Sequence, residues 1–251
     1  MNNIVMLTCY DAITATLLAD CGIDILLVGD SVGNVKLGYK NTLPVTMDDM
    51  IRHTQAVARG NIGKIKIATD MPYKSFEDNA DLAVENAKKL IRAGADYVKI
   101  EGGKEIIDSI KAIIGAGIKI IGHLGLMPQS IEKMGGYKIQ CRDEESRKKL
   151  LEDALLLEEA GVSMIVLEGI PEDAAKTVTE KLKIPTIGIG AGRYCGGQVL
   201  VSDDMLGLFE SFKPKFVKRY ANLAGIIKQA AKQYSKEVKE GIFPEEENVY
   251  K

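Results

Sequence analysis

Two charges interrupt an apolar stretch at 95–103, read ADYVKIEGG: Lys99 and Glu101 lie where a core strand should carry neither. Side chains alternate along a strand, so Lys99 and Glu101 share one face while Val98 and Ile100 take the other. On a strand of a parallel barrel that shared face looks into the mouth, where a charge is tolerated only if paired, hydrated or bound to metal. Other predicted strands end in the same way: Asp30, Asp70, His123 and Glu168 close the second, third, fifth and sixth. A parallel barrel opens all its strand carboxyl ends on one face, so Asp30 and Glu168 meet there despite their distance in sequence. Any one of these residues is ordinarily a turn or capping residue. Together they point to an active site.

Asp30, Asp70 and Glu101 form a hard oxygen set, with no thiol and one imidazole nearby, which suits Mg²⁺ better than Zn²⁺. Three buried anions repel one another, and a divalent cation is the simplest neutralising partner; a salt bridge from Lys99 would account for Glu101 alone. Mg²⁺ keeps positions for substrate oxygens, so it can chelate a 2-oxo acid and acidify the carbon beside the ketone. Enolisation is the natural reaction class, with Glu168 free of the metal as general base. Lys99 is open to three readings: structural counter-charge, holder of a substrate carboxylate, or Schiff-base amine. Ser31 follows Asp30 at a strand-to-loop turn and can meet an anion or simply cap the turn. His123, in GHLGL, is either a second polar contact or a satisfied core histidine. His53 is assigned no role. The glycine-rich run 188–192 resembles a phosphate cradle but is weak by itself, and it is not a dinucleotide fingerprint because a strand follows it.

The elements that must position these residues are repeated βα units. Short β-branched and apolar runs at 4–9, 23–30, 64–70, 95–101, 118–123, 164–168, 185–189 and 198–202 alternate with longer helical patterns. That is the number of strands a closed barrel needs, and the expected fold is an α/β (β/α)₈ TIM barrel. Helical patterns are clearest at 75–93, 144–160, 171–182 and 214–240, with a further helical stretch at 47–59. Ala-Gly pairs at 93–94, 116–117 and 160–161 mark helix ends, since glycine accepts the left-handed conformation there. Thr46 and Ser75 read as N-caps followed by acidic residues, and Pro171 suits a first helical turn. With 251 residues, 46% hydrophobic and 27% charged, the chain reads as one domain over 1–251, ending in a C-terminal helix and a short polar tail.

Composition also narrows the partners. A formal charge of -2 with no basic block lacks the footprint of a nucleic-acid binder, so a small-molecule substrate is expected. Cys9, Cys21, Cys141 and Cys195 show no CxxC spacing, which argues against a zinc site or disulfide framework. No apolar run is long enough to span a bilayer, and the first three residues lack the regions of a signal peptide, so no membrane role and a cytoplasmic location are expected.

The segments VGDSVGNVKLGYKNTLPVTMDDMIRHT, VKIEGG, GHLGLMPQS, GGYKIQ, VLEGIP and IPTIGIGAG, running in order between LTCYD and FPE, resemble the ketopantoate hydroxymethyltransferases. The resemblance implies a barrel of the phosphoenolpyruvate/pyruvate-binding superfamily type. It implies transfer of a hydroxymethyl group from 5,10-methylenetetrahydrofolate to 3-methyl-2-oxobutanoate, giving 2-dehydropantoate on the route to pantothenate. Residue by residue it places Mg²⁺, or another divalent metal, on Asp30, Asp70 and Glu101. It places the 2-oxo acid on Asp30, Ser31, Asp70 and Lys99 with His123 as a further contact, and it makes Glu168 the proton acceptor. Lys99 then orients or balances charge, and a homo-oligomer, a decamer in the family, is expected. The departures are a short stretch before the first strand, Cys141 where glycine is usual, the loop Arg193-Tyr194-Cys195, and Asp203 in place of a common histidine. The rival readings are another magnesium-dependent carbon–carbon enzyme of the phosphoenolpyruvate mutase and isocitrate lyase kind, and a non-catalytic ligand-binding barrel.

Overall fold

The structure is a computed structural model and describes residues 3–130, 136 and 138–250. Strands β1 (Ile4–Thr8), β2 (Ile25–Val28), β3 (Lys66–Asp70), β4 (Tyr97–Glu101), β5 (Ile120–Gly125), β6 (Met164–Glu168), β7 (Thr186–Ile189) and β8 (Gly197–Leu200) pair in chain order. Every pairing is parallel, and β8 returns to β1, so the sheet closes into a barrel as expected.

The strand period of two separates two cores. Met6, Ile25, Leu27, Ala68, Ile121, Met164, Val166, Ile187 and Val199 pack together inside the barrel. The alternate positions, among them Leu26, Val28, Ile67, Val98, Ile100 and Ile165, pack outward with helix residues such as Met50, Leu90, Ile113 and Leu157. Strands buried on both faces read as continuous apolar runs, which is why ILLV of β2 was legible as a strand.

Between the strands lie α1 (Ala12–Leu18), α2 (Val32–Val35), α3 (Met47–Gly60), α4 (Ala80–Ala93), α5 (Ile107–Gly115), α6 (Glu144–Ala160) and α7 (Glu172–Lys181). Thr46 caps α3 in a full capping box, its hydroxyl accepting from the Asp49 amide and its own amide donating to the Asp49 carboxylate. Gly94 and Gly161 end α4 and α6 in the left-handed region, with φ of 118° and 98°.

Three helix starts correct the sequence expectation. The α4 helix begins at Ala80 with Asn79 as cap, so Ser75 caps nothing: the Glu77 carboxylate takes the amides of Lys74 and Phe76, and buried Phe76 anchors a separate turn. Pro171 stands at the N-cap of α7, one position before its first turn. The last helix, α9, begins at Leu223 and not at 214, because the Asn222 side chain accepts from the Gly225 amide and sets the start there.

The chain forms two compact units, Met1–Val201 and Ser202–Lys251. The first holds the barrel and α1 to α7. The second holds α8 (Ser202–Met205) and α9 (Leu223–Glu240), with the Asp203 carbonyl accepting from Leu208 and Phe209. Among the described residues no helix is long and apolar enough to cross a membrane.

Candidate active site

Strand register brings the expected residues together. Asp70 pairs with Lys99, Glu101 with His123, and Gly125 with Glu168, so the ends of β3 to β6 place five functional side chains on adjoining strands. Lys99 Nζ donates to Asp70 Oδ1 at 2.6 Å. His123 lies between two carboxylates, Nδ1 at 3.3 Å from Glu101 Oε1 and Nε2 at 3.3 Å from Glu168 Oε2. The Asp70, Lys99, Glu101 and His123 side chains are all buried, whereas Glu168 is 17% exposed and is the least buried of the five.

Asp30 reaches the site by another route. Taken as the last residue of its strand, it would point away from the barrel interior, since Ile25 and Leu27 face inward. The strand instead stops at Val28, the chain turns at Gly29, and the Asp30 amide donates to Asp70 Oδ2 at 2.9 Å. A Cβ on Gly29 would stand 2.8 Å from Ser31 Oγ and 3.5 Å from Asp70 Oδ2, so the bare backbone lets these two side chains approach the turn closely. His123 likewise does not close its strand: β5 runs on to Gly125, whose φ of +96° and whose position against the Glu168 carbonyl, 2.3 Å from where a Cβ would sit, admit only glycine.

The electrostatics report an excess of negative charge. Burial, together with the Asp30 charge, pushes the Asp70 carboxyl up to about 7 against the opposing pull of Lys99. Burial also raises Glu101, with His123 opposing. Burial and Lys99 act to lower His123, but Glu101 and Glu168 overrule them and hold it up at about 9, so the imidazole is charged near neutral pH. Burial disfavours the Lys99 ammonium too, and Asp70, Glu101 and Asp30 more than offset it. The site thus sets four carboxylates, Asp30, Asp70, Glu101 and Glu168, against two basic groups, Lys99 and His123, and burial together with the Asp30 charge drives Asp70 and Glu101 toward their protonated forms.

Two residues of the site were not singled out from sequence. Gln129, buried in the turn Pro128–Ser130, donates from Nε2 to Asp30 Oδ2 at 3.1 Å and to the Met71 carbonyl at 3.0 Å, while its backbone amide donates to Glu101 Oε2 at 3.0 Å. It stands in GHLGLMPQS, where a glutamine just past a strand with a charged neighbour on each side of the barrel was the available signal. Tyr10, just past β1, meets Ser31 Oγ with its buried hydroxyl at 2.8 Å. His53 Nδ1 lies 2.6 Å from the Tyr10 carbonyl, in keeping with its having no assigned role. The 188–192 loop packs Gly192 on Glu172, whose carboxylate is 3.2 Å from Arg193 Nε. Of GGYKIQ, Gly135 and Tyr137 lie outside the described residues, as do Met1 and Asn2 at the start of the chain.

A divalent cation fits this donor set in chemistry and in charge: three carboxylates, buried, with hard oxygens and uncompensated negative charge. Glu101 Oε1 is buried without a hydrogen-bond partner, which leaves an oxygen in need of one. Among the described residues the His, Cys, Asp and Glu side chains nevertheless do not stand in a closed ligand geometry; Lys99 and Gln129 engage oxygens that a cation would share.

The model of the family described as ketopantoate hydroxymethyltransferase matches residues 1–246. The chain belongs to that family. Similar relatives include the 3-methyl-2-oxobutanoate hydroxymethyltransferase of Caldicellulosiruptor saccharolyticus, 56% identical over 98% of this chain and 93% of the relative. That of Clostridium kluyveri is 53% identical over 99% of this chain and 89% of its own length. Among solved structures, a phosphonopyruvate hydrolase aligns with a TM-score of 0.64 at 12% identity, covering 100% of this chain and 87% of the other. A 2,3-dimethylmalate lyase of the PEP mutase/isocitrate lyase superfamily aligns at 0.62 and 16%, covering 99% and 84%. These last two show the barrel fold alone.

Proposed function

We propose that this chain is a hydroxymethyltransferase that adds a one-carbon unit from 5,10-methylenetetrahydrofolate to C3 of 3-methyl-2-oxobutanoate, with Glu168 as the base. Family membership carries the reaction class and the 2-oxo acid. The observation that carries the base is the contrast between Glu168, the most exposed carboxylate of the set, and the buried Asp30, Asp70 and Glu101 behind it.

Asp30, Asp70 and Glu101 are the residues that would hold a divalent cation, preferably Mg²⁺. When bound, such a cation would neutralise the buried carboxylates and polarise the ketone of the 2-oxo acid, acidifying the C3 proton. Lys99 balances the Asp70 charge and presents a cation to the substrate carboxylate; its tight pairing with Asp70 argues against an imine, which needs a free amine. Ser31, held by Tyr10, offers its hydroxyl close against the Gly29 backbone. Glu168 accepts the C3 proton, and His123, whose Nε2 stands 3.3 Å from Glu168 Oε2, is a charge partner close to that oxygen. Water hydrolyses the methylene bridge of the folate, so that both carbon–nitrogen bonds break and tetrahydrofolate leaves with the one-carbon unit at the level of formaldehyde; C3 then attacks that carbon, and its oxygen takes back the proton held by Glu168 to become the hydroxyl.

The test is proton NMR of 3-methyl-2-oxobutanoate with the enzyme, Mg²⁺ and methylenetetrahydrofolate, with parallel samples lacking the folate or containing EDTA. The expected result is a new hydroxymethyl signal only in the complete mixture. Carbon–carbon chemistry on other 2-oxo acids without folate, and none here, would instead favour the superfamily rivals.

A further inference from the structure

Gln129 ties together three strand ends that chain connectivity leaves independent. Its side-chain amide holds Asp30, beyond β2, and the Met71 carbonyl, beyond β3; its backbone amide holds Glu101, at the end of β4. The orientation of the amide is dictated, because Nε2 lies between two acceptors and a flipped group would set Oε1 against both. Oε1 is then left buried with no hydrogen-bond partner. A buried acceptor without a donor is costly, so the geometry asks for a donor supplied by something bound in the site.

We propose that Gln129 is a positioning residue for a divalent cation: it fixes the Asp30 and Glu101 carboxylates relative to one another, and its Oε1 accepts a hydrogen bond from a water of the cation's shell. Mg²⁺ retains several waters, and groups that orient carboxylate ligands from behind govern affinity. The inference rests on the cation site proposed above for Asp30, Asp70 and Glu101. Because the backbone amide keeps its hold on Glu101 in any variant, substitution of the side chain releases Asp30 and the Met71 carbonyl but not Glu101.

The experiment is a Mn²⁺ titration followed by electron paramagnetic resonance, on the wild-type chain, Gln129→Met and Gln129→Asn, with the metal-free thermal midpoint of each as control. The methionine keeps the volume and loses the amide; the asparagine keeps the amide but is one methylene too short to span Asp30 and Met71, and serves if the methionine variant does not fold. We expect both to bind Mn²⁺ about 10- to 100-fold more weakly. Variants that bind within threefold of wild type, including any that lose thermal stability while doing so, would overturn the inference and leave the cation site standing. A wild-type chain that binds no Mn²⁺ would sink the cation site, and the inference with it.

Discussion

Lys99 and Glu101 share a strand face yet meet different partners: one closes on Asp70 across to β3, the other is held by Gln129 and faces His123 across to β5. Their alternation with Val98 and Ile100 was legible in sequence because the period of a strand is fixed. Asp30 was legible as a residue of the site but not in its placement, since strand parity would turn it outward and only the turn at Gly29 and the hydrogen bond to Asp70 bring it in. Gln129 was passed over because a neutral amide in a loop carries no charge signal, although it links three of the strand ends. Cys141 shows the same scale in stability: it holds a φ of +55°, in the left-handed region that favours glycine. Left-handed backbone costs an L-residue roughly 1–2 kcal/mol, and the freedom of an unfolded glycine offsets part of this. Cys141→Gly is expected to raise stability by up to about 1 kcal/mol. Chemical denaturation would check it, and a loss of stability would show that packing at the thiol outweighs the backbone.

At the scale of elements, the strands were found because their buried runs are bounded by glycine, aspartate and proline, and the helix ends because Ala-Gly marks a left-handed stop. Helix starts were harder to place: Ser75 looks like a cap and 214 like the start of the last helix, and the side chains of Glu77 and Asn222 overrule them. The α3 cap has both reciprocal bonds of a capping box, so Thr46→Ala should cost about 1 kcal/mol of stability in the same denaturation experiment. In α8, burial and the neighbouring Asp203 push the Asp204 carboxyl up to about 6, with Arg219 opposing. The folded value exceeds the unfolded one, so the native state takes up a proton first and stability falls as pH rises from about 4 to about 6. Asp204→Asn should therefore raise the thermal midpoint above pH 6 and leave it unchanged below pH 4. A difference from wild type that did not vary with pH would contradict this.

For the molecule as a whole, the barrel follows from counting strands, and the site follows from the fact that a parallel barrel gathers its strand ends on one face. The chain is nearly neutral overall, with 33 basic against 35 acidic residues, and four of its carboxylates meet at the ends of the strands. What composition and spacing could not supply is the acceptor and donor of the reaction; those came with the ordered motifs of the ketopantoate hydroxymethyltransferases. The central claim is that Glu168 removes the C3 proton of the 2-oxo acid, and the most direct measurement is deuterium exchange at C3 of 3-methyl-2-oxobutanoate in D₂O, with Mg²⁺ and without folate. Wild type is predicted to exchange the C3 proton, while Glu168→Gln still binds the 2-oxo acid and leaves that proton in place. Exchange by Glu168→Gln at the wild-type rate would contradict the account.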